Sequence, residues 1–163
     1  MIKPLDLVLW DWNKMIDSFH SESDRGAAVL AGGFVENYLG VFLKHFIVDK
    51  KVGDDLFGAF GPLSSFSQRI ALARAYGFIS RAHYNDLTIV RQVRNHFAHH
   101  PLEATFATPK IAELCLKLSQ HKTAEEEHPN EGHSWKARTA YLLSCGMFCG
   151  VAHQRMEKQE KED

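Results

Sequence analysis

The chain has 163 residues, 45% of them hydrophobic and 24% charged, with a net charge of −1 when its histidines are neutral. That is enough apolar material for one domain with its own core, and it argues against bulk disorder. The near-zero charge excludes a protein that holds duplex DNA through a global basic excess, because phosphate neutralisation supplies much of that affinity.

Leu5, Val8, Leu9, Trp12, Ile16 and Phe19 recur at helical spacing and predict an amphipathic N-terminal helix. Acids lie inside its apolar part and no small-residue cleavage site follows, so a signal peptide is not expected. No uninterrupted apolar run reaches membrane-spanning length. The expected location is the cytoplasm, with no membrane partner. Ser21 to Ser23 break the first helix, and Ser23 or Asp24 can cap a second that runs to about Val48. This second helix is apolar nearly all round, a pattern suited to a bundle centre or a dimer interface. Gly26, Gly32, Gly33 and Gly40 weaken it, and are tolerable where another helix approaches closely.

DKKVGDD reads as a polar connection and LFGAFGP as a turn-rich link. Pro62 suits the first turn of a helix over LSSFSQRIALARAY, with Leu63, Phe66, Ile70 and Ala73 facing inward and Gly77 as its stop. Ser80 starts a fourth helix, ended by Pro101. Thr108-Pro109 signals a further start, carried on by IAELCLKLSQ. HKTAEEEHPNEGH, with Pro129 and Gly132, reads as a solvated loop. Ser134 caps a last helix with Ala137, Tyr141, Cys145, Phe148 and Ala152 inward. The prediction is an all-α, single-domain bundle of about six helices without a sheet, spanning residues 1–156, and a charged, frayed tail at 157–163. Cys115, Cys145 and Cys149 contain no C-x-x-C pair and suit core packing in a reducing compartment better than redox chemistry.

The chemistry-bearing stretch is RQVRNHFAHHP, residues 91–101. Leu87, Val90, Arg94 and Phe97 share one stripe of the fourth helix, so Arg94 interrupts an apolar face. A guanidinium held there needs an acid, and the second helix offers Glu36 in its body and Asp24 at its start. On that reading Arg94 ties two helices together. His99 lies about 140° round the helix from Arg94, and the two converge only if Pro101 unwinds the helix in time. Were they to meet, His99 could move a proton at a phosphodiester while Arg94 stabilised the charge on phosphate, with no metal or other cofactor required.

The spacing Arg94-Asn95-x-x-x-His99 resembles the arginine-x4-histidine motif of HEPN domains, helical bundles that include metal-independent ribonucleases and nucleotide-binding modules. That resemblance makes Arg94, His99 and Asn95 candidate catalytic residues and RNA a candidate partner. SDRGAAVLAGGFVENYL (23–39), LFGAFGPLSSFSQRIALARAYGFIS (56–80) and VRQVRNHFAHHP (90–101) resemble, in that order, the mannitol operon repressor family. This second resemblance implies an all-helical cytoplasmic protein linked to repression of a sugar-alcohol operon. No segment shows a short Gly-containing turn followed by a basic recognition helix, so direct DNA binding is not expected. A homodimer or a protein partner is expected instead, through the exposed faces of the long apolar helix.

Between residues 66 and 100, Arg69, Arg74, Arg81, Arg91 and Arg94 stand against Asp86 alone, a local excess of four positive charges. Such a patch could meet phosphate, or its arginines could be spread over two helices and paired elsewhere; the second is favoured, since Arg69 and Arg74 share no face. His96 and His100 have the i, i+4 spacing of helical zinc sites, but His99 or His83 could supply a third ligand only with distortion and no H-E-x-x-H pattern is near, so no metal is expected. GPLSSF could offer backbone N–H groups to an anion, and is equally an ordinary helix start.

Overall fold

The computed structural model describes residues 17–162. A helical stretch at 17–21 leads into seven helices: α1 Asp24–His45, α2 Lys50–Phe57, α3 Phe66–Ala75, α4 Arg81–His99, α5 Pro109–Leu116, α6 His121–Glu127 and α7 His133–Glu162. No strand occurs among the described residues. The all-α class is as expected, and the helix number exceeds the expected six. The predicted N-terminal helix lies outside the described residues except for its end, where Phe19 is buried.

The punctuation read from sequence accounts for many of the boundaries. Ser23 caps α1 by accepting from Gly26 N–H at 3.0 Å, and Ser80 caps α4 by accepting from His83 N–H at 3.1 Å. Gly77 has φ +71°, the left-handed conformation that closes a helix at little cost for glycine. Pro109 opens α5 and Pro101 follows the end of α4.

Four local expectations need correction. α3 begins at Phe66, not near Pro62, because Ser65 and Gln68 form a reciprocal capping box there. The polar connection after α1 contains α2, nucleated by Asp49 accepting from Val52 N–H at 3.1 Å. The presumed loop at 121–133 contains α6, anchored inward by fully buried Ala124. The terminal tail, expected to fray, stays helical to Glu162, with Lys158 and Glu162 paired at 3.8 Å across one turn.

α1 is the central element, packed on α7, α4 and α3. Among the described residues, α1 is the one helix that by length and mean hydropathy, 1.4 over its apolar window, could cross a bilayer, although Glu36 and Asn37 interrupt that run. In this fold 56% of the window is buried inside the protein, which suits a core helix. Of its large apolar side chains only Leu30 is well exposed, so α1 offers little free face for association. Ala137, Tyr141, Cys145, Phe148 and Ala152 all point from α7 into the core, as their spacing predicts. Phe97, Phe106 and Tyr141 pack in series as tilted rings with centroids 5.1 and 5.6 Å apart, joining α4, the loop before α5, and α7.

Gly32 sets the closest approach in the bundle. A Cβ built there would sit 2.6 Å from Tyr141 Oη and 2.7 Å from Arg94 Cγ. Tyr141 is completely buried and donates to Ala28 O at 2.7 Å, so it has no room to withdraw. A Cβ built at Gly40 would lie 3.1 Å from Arg69 Nη1, whereas one at Gly33 would face open space. Close approach therefore explains two of these glycines and not Gly33.

Candidate functional site

Arg94 lies on the inward stripe of α4, between the buried Val90 and Phe97. Its Nη2 donates to Glu36 Oε2 at 2.7 Å, and its guanidinium carbon lies 5.6 Å from the Phe66 ring centroid on α3. The pair is mostly enclosed, with side-chain exposures of 23% for Arg94 and 20% for Glu36. Arg94 Nε is buried with no hydrogen-bond acceptor. One cation thus joins α4 to α1 and rests on α3, at the place where Gly32 lets the helices meet.

Asp24, the other candidate acid for Arg94, has a different partner. Asp24 Oδ1 accepts from Arg138 Nη1 at 2.7 Å, and Oδ2 accepts from Phe106 N–H at 2.9 Å. Arg138 Nη2 also donates to Phe19 O at 2.8 Å, His20 O at 3.3 Å and Glu22 O at 2.6 Å. Arg138 therefore holds the end of the 17–21 helical stretch, the start of α1 and the body of α7 together. Arg138→Met should cost about 2–4 kcal/mol, since it strands a half-buried carboxylate and three carbonyls; thermal melts of the variant check this. Asp86 is a second buried acid whose role the sequence hides. It accepts from Ser119 N–H at 3.0 Å and from the Ser119 hydroxyl, fixing the turn between α5 and α6.

His99 and Asn95 face a different direction from Arg94. Together with Gln92 and His96 on α4, His100 at its C-cap, and Lys110 and Leu114 on α5, they line a groove of about 470 Å³. Arg94 is not among its lining residues. Pro101 does not unwind α4 early enough to swing His99 round, because the helix continues through His99 itself. The His96 and His100 rings stack with centroids 4.3 Å apart, and His100 Nδ1 lies 3.0 Å from His96 O. Since a carbonyl only accepts, His100 carries its proton on Nδ1 and leaves Nε2 open. His96 is held below the usual histidine range, first by burial and then by the neighbouring His100 and Lys110.

The arginines of the basic stretch are largely engaged. Arg69 donates to Leu63 O at 2.8 Å and Glu36 O at 3.1 Å, and Arg74 donates to Ile79 O at 3.1 Å. Arg81 lies over the Tyr84 ring. Among the described residues no group of three or more His, Cys, Asp or Glu side chains is placed to hold a metal ion. Cys115, Cys145 and Cys149 are free and buried, and burial pushes the Cys115 thiol up to about 12. GPLSSF leads into the Ser65 capping box, an ordinary helix start.

Fold and site together define an all-helical bundle with an enclosed Arg–Glu tie at its centre and a separate histidine-lined groove on its surface. The chain belongs to the mannitol repressor family, whose model, described as "Mannitol repressor", matches residues 33–158. The match takes in α5, α6 and most of α7, well beyond the segments that carry the resemblance in sequence. No curated protein and no solved structure matches the chain.

Proposed function

We propose that the protein is a transcriptional regulator of the mannitol operon repressor type that works through contact with a second copy or a protein partner. The family match over residues 33–158 carries this reading. The inward engagement of Arg69, Arg74 and Arg94 supports it, since those side chains contribute no basic face for a DNA groove. An association surface is better placed beyond the C-terminal end of α1 than along it. There an apolar groove of about 420 Å³ is lined by Leu43, Phe46, Leu56, Leu72 and Tyr76 among others, with Val48 and Phe60 fully exposed in the same part of the chain.

Deleting the gene should raise transcription of the mannitol operon several-fold, read with a promoter fusion; unchanged expression would sink the regulatory reading. Sedimentation at micromolar concentration separates the two modes of action, and a strict monomer rules out the homodimer. The alternative, a metal-independent ribonuclease using Arg94 and His99, requires both side chains to reach one phosphodiester. RNA cleavage in chelator that is lost in His99→Ala, with the fold intact, would establish it.

A further inference from the structure

We infer that the groove between α4 and α5 is a binding site for a phosphomonoester, with Lys110, His96, His99 and His100 holding the phosphoryl group. This inference stands independently of the regulatory reading. Four potentially cationic side chains line the groove and no carboxylate does. On α4 and its C-cap the charged or titratable lining groups are His96, His99 and His100, and on α5 Lys110 alone. Glu113 is paired with Lys117 at 3.1 Å, and neither is among the groove's lining residues.

The helix that carries Lys110 starts beside it with its positive dipole end uncompensated by a side chain. Thr108, at the N-cap, forms no cap bond, and its hydroxyl accepts from Thr105 N–H at 3.0 Å instead. The site is therefore short of negative charge, and the proton affinity of His96 is lowered first by burial and then by the positive neighbours His100 and Lys110. A bound dianion would relieve that repulsion and favour the charged imidazoles. Gln92 and Asn95 add amide donors and acceptors at the same groove, suited to the hydroxyl or ring groups of a small polar body. A volume near 470 Å³ accommodates a ligand of that size.

Charged imidazoles attract a phosphoryl group more strongly than neutral ones, so affinity should fall as pH rises, leaving Lys110 as the remaining full charge. The test is titration calorimetry of the full chain at pH 6.5 and 8.5 with inorganic phosphate, glucose 6-phosphate and adenosine monophosphate, and unphosphorylated glucose as the blank. Saturable one-site binding is expected at pH 6.5, weakened about tenfold or more at pH 8.5 and by a similar factor in Lys110→Ala and in His99→Gln. These are exposed positions, so both variants should melt like the parent, and Lys117→Ala, outside the groove, should bind normally. Equal affinity for inorganic phosphate and the esters would identify free phosphate as the ligand. Tighter binding of an ester would place its body against Gln92 and Asn95. No saturable binding up to about 10 mM of any phosphate, or binding indifferent to both groove variants, would overturn the inference.

Discussion

Gly32→Ala is expected to destabilise the protein by about 2 kcal/mol, lowering the melting temperature by roughly 4–8 °C. The added methyl meets the Tyr141 hydroxyl at 2.6 Å and the first two side-chain carbons of Arg94 at 2.7 and 2.8 Å. None of these is the free end of a mobile chain. Tyr141 is pinned by its bond to Ala28 O, and the Arg94 carbons are fixed by the course of α4. Alanine is intrinsically the better helix former by about 1 kcal/mol, so the steric cost must exceed that gain for the expected sign to appear. Gly33→Ala is the matching control. Nothing lies within 4 Å of its added methyl, so only the propensity gain remains and the variant should be neutral or more stable. Thermal melts of the two variants side by side decide the matter. Equal behaviour would mean that α1 does not present Gly32 to α4 and α7.

Arg94→Met is expected to cost about 1–3 kcal/mol, mainly by leaving Glu36 partly enclosed without its partner. The range sits below that of a fully buried pair because both side chains keep about a fifth of their surface in water. Adding Glu36→Leu should recover most of the loss. Methionine can lie on Phe66 as the guanidinium does, and the unpaired Nε disappears with the arginine. A double-mutant cycle by chemical denaturation measures the coupling. If the two changes are simply additive, the pair does not tie α4 to α1.

The parts of this fold legible in sequence are those written in local chemistry. Ser23, Ser80, Gly77 and Pro109 mark boundaries because each satisfies or breaks backbone geometry within a few residues of itself. The inward stripe of α7 is legible because it repeats over about four turns. α2 and α6 are hidden because each is two turns of mostly polar sequence, too short for periodicity to stand out. By sequence Glu36 and Asp24 are equal candidates for Arg94, since both lie on one helix. What separates them is Arg138, more than 110 residues from Asp24 in the chain. Three of the four oxygens that accept from Arg138 are backbone carbonyls, which no side-chain pattern records. The groove was half visible. His96, His99 and His100 stood together in sequence, but Lys110 joins them only because α5 packs against α4.

The division between a structural Arg94 and a separate functional groove is tested most directly by measuring repression with the Arg94→Met/Glu36→Leu protein. A mannitol-operon promoter fusion in a strain lacking the native gene gives the readout, with folding checked by circular dichroism. Near-normal repression by the folded double variant is the predicted result. Loss of repression by a double variant that melts like the parent would contradict the account, because it would require the charges of Arg94 and Glu36 for something other than holding the helices together.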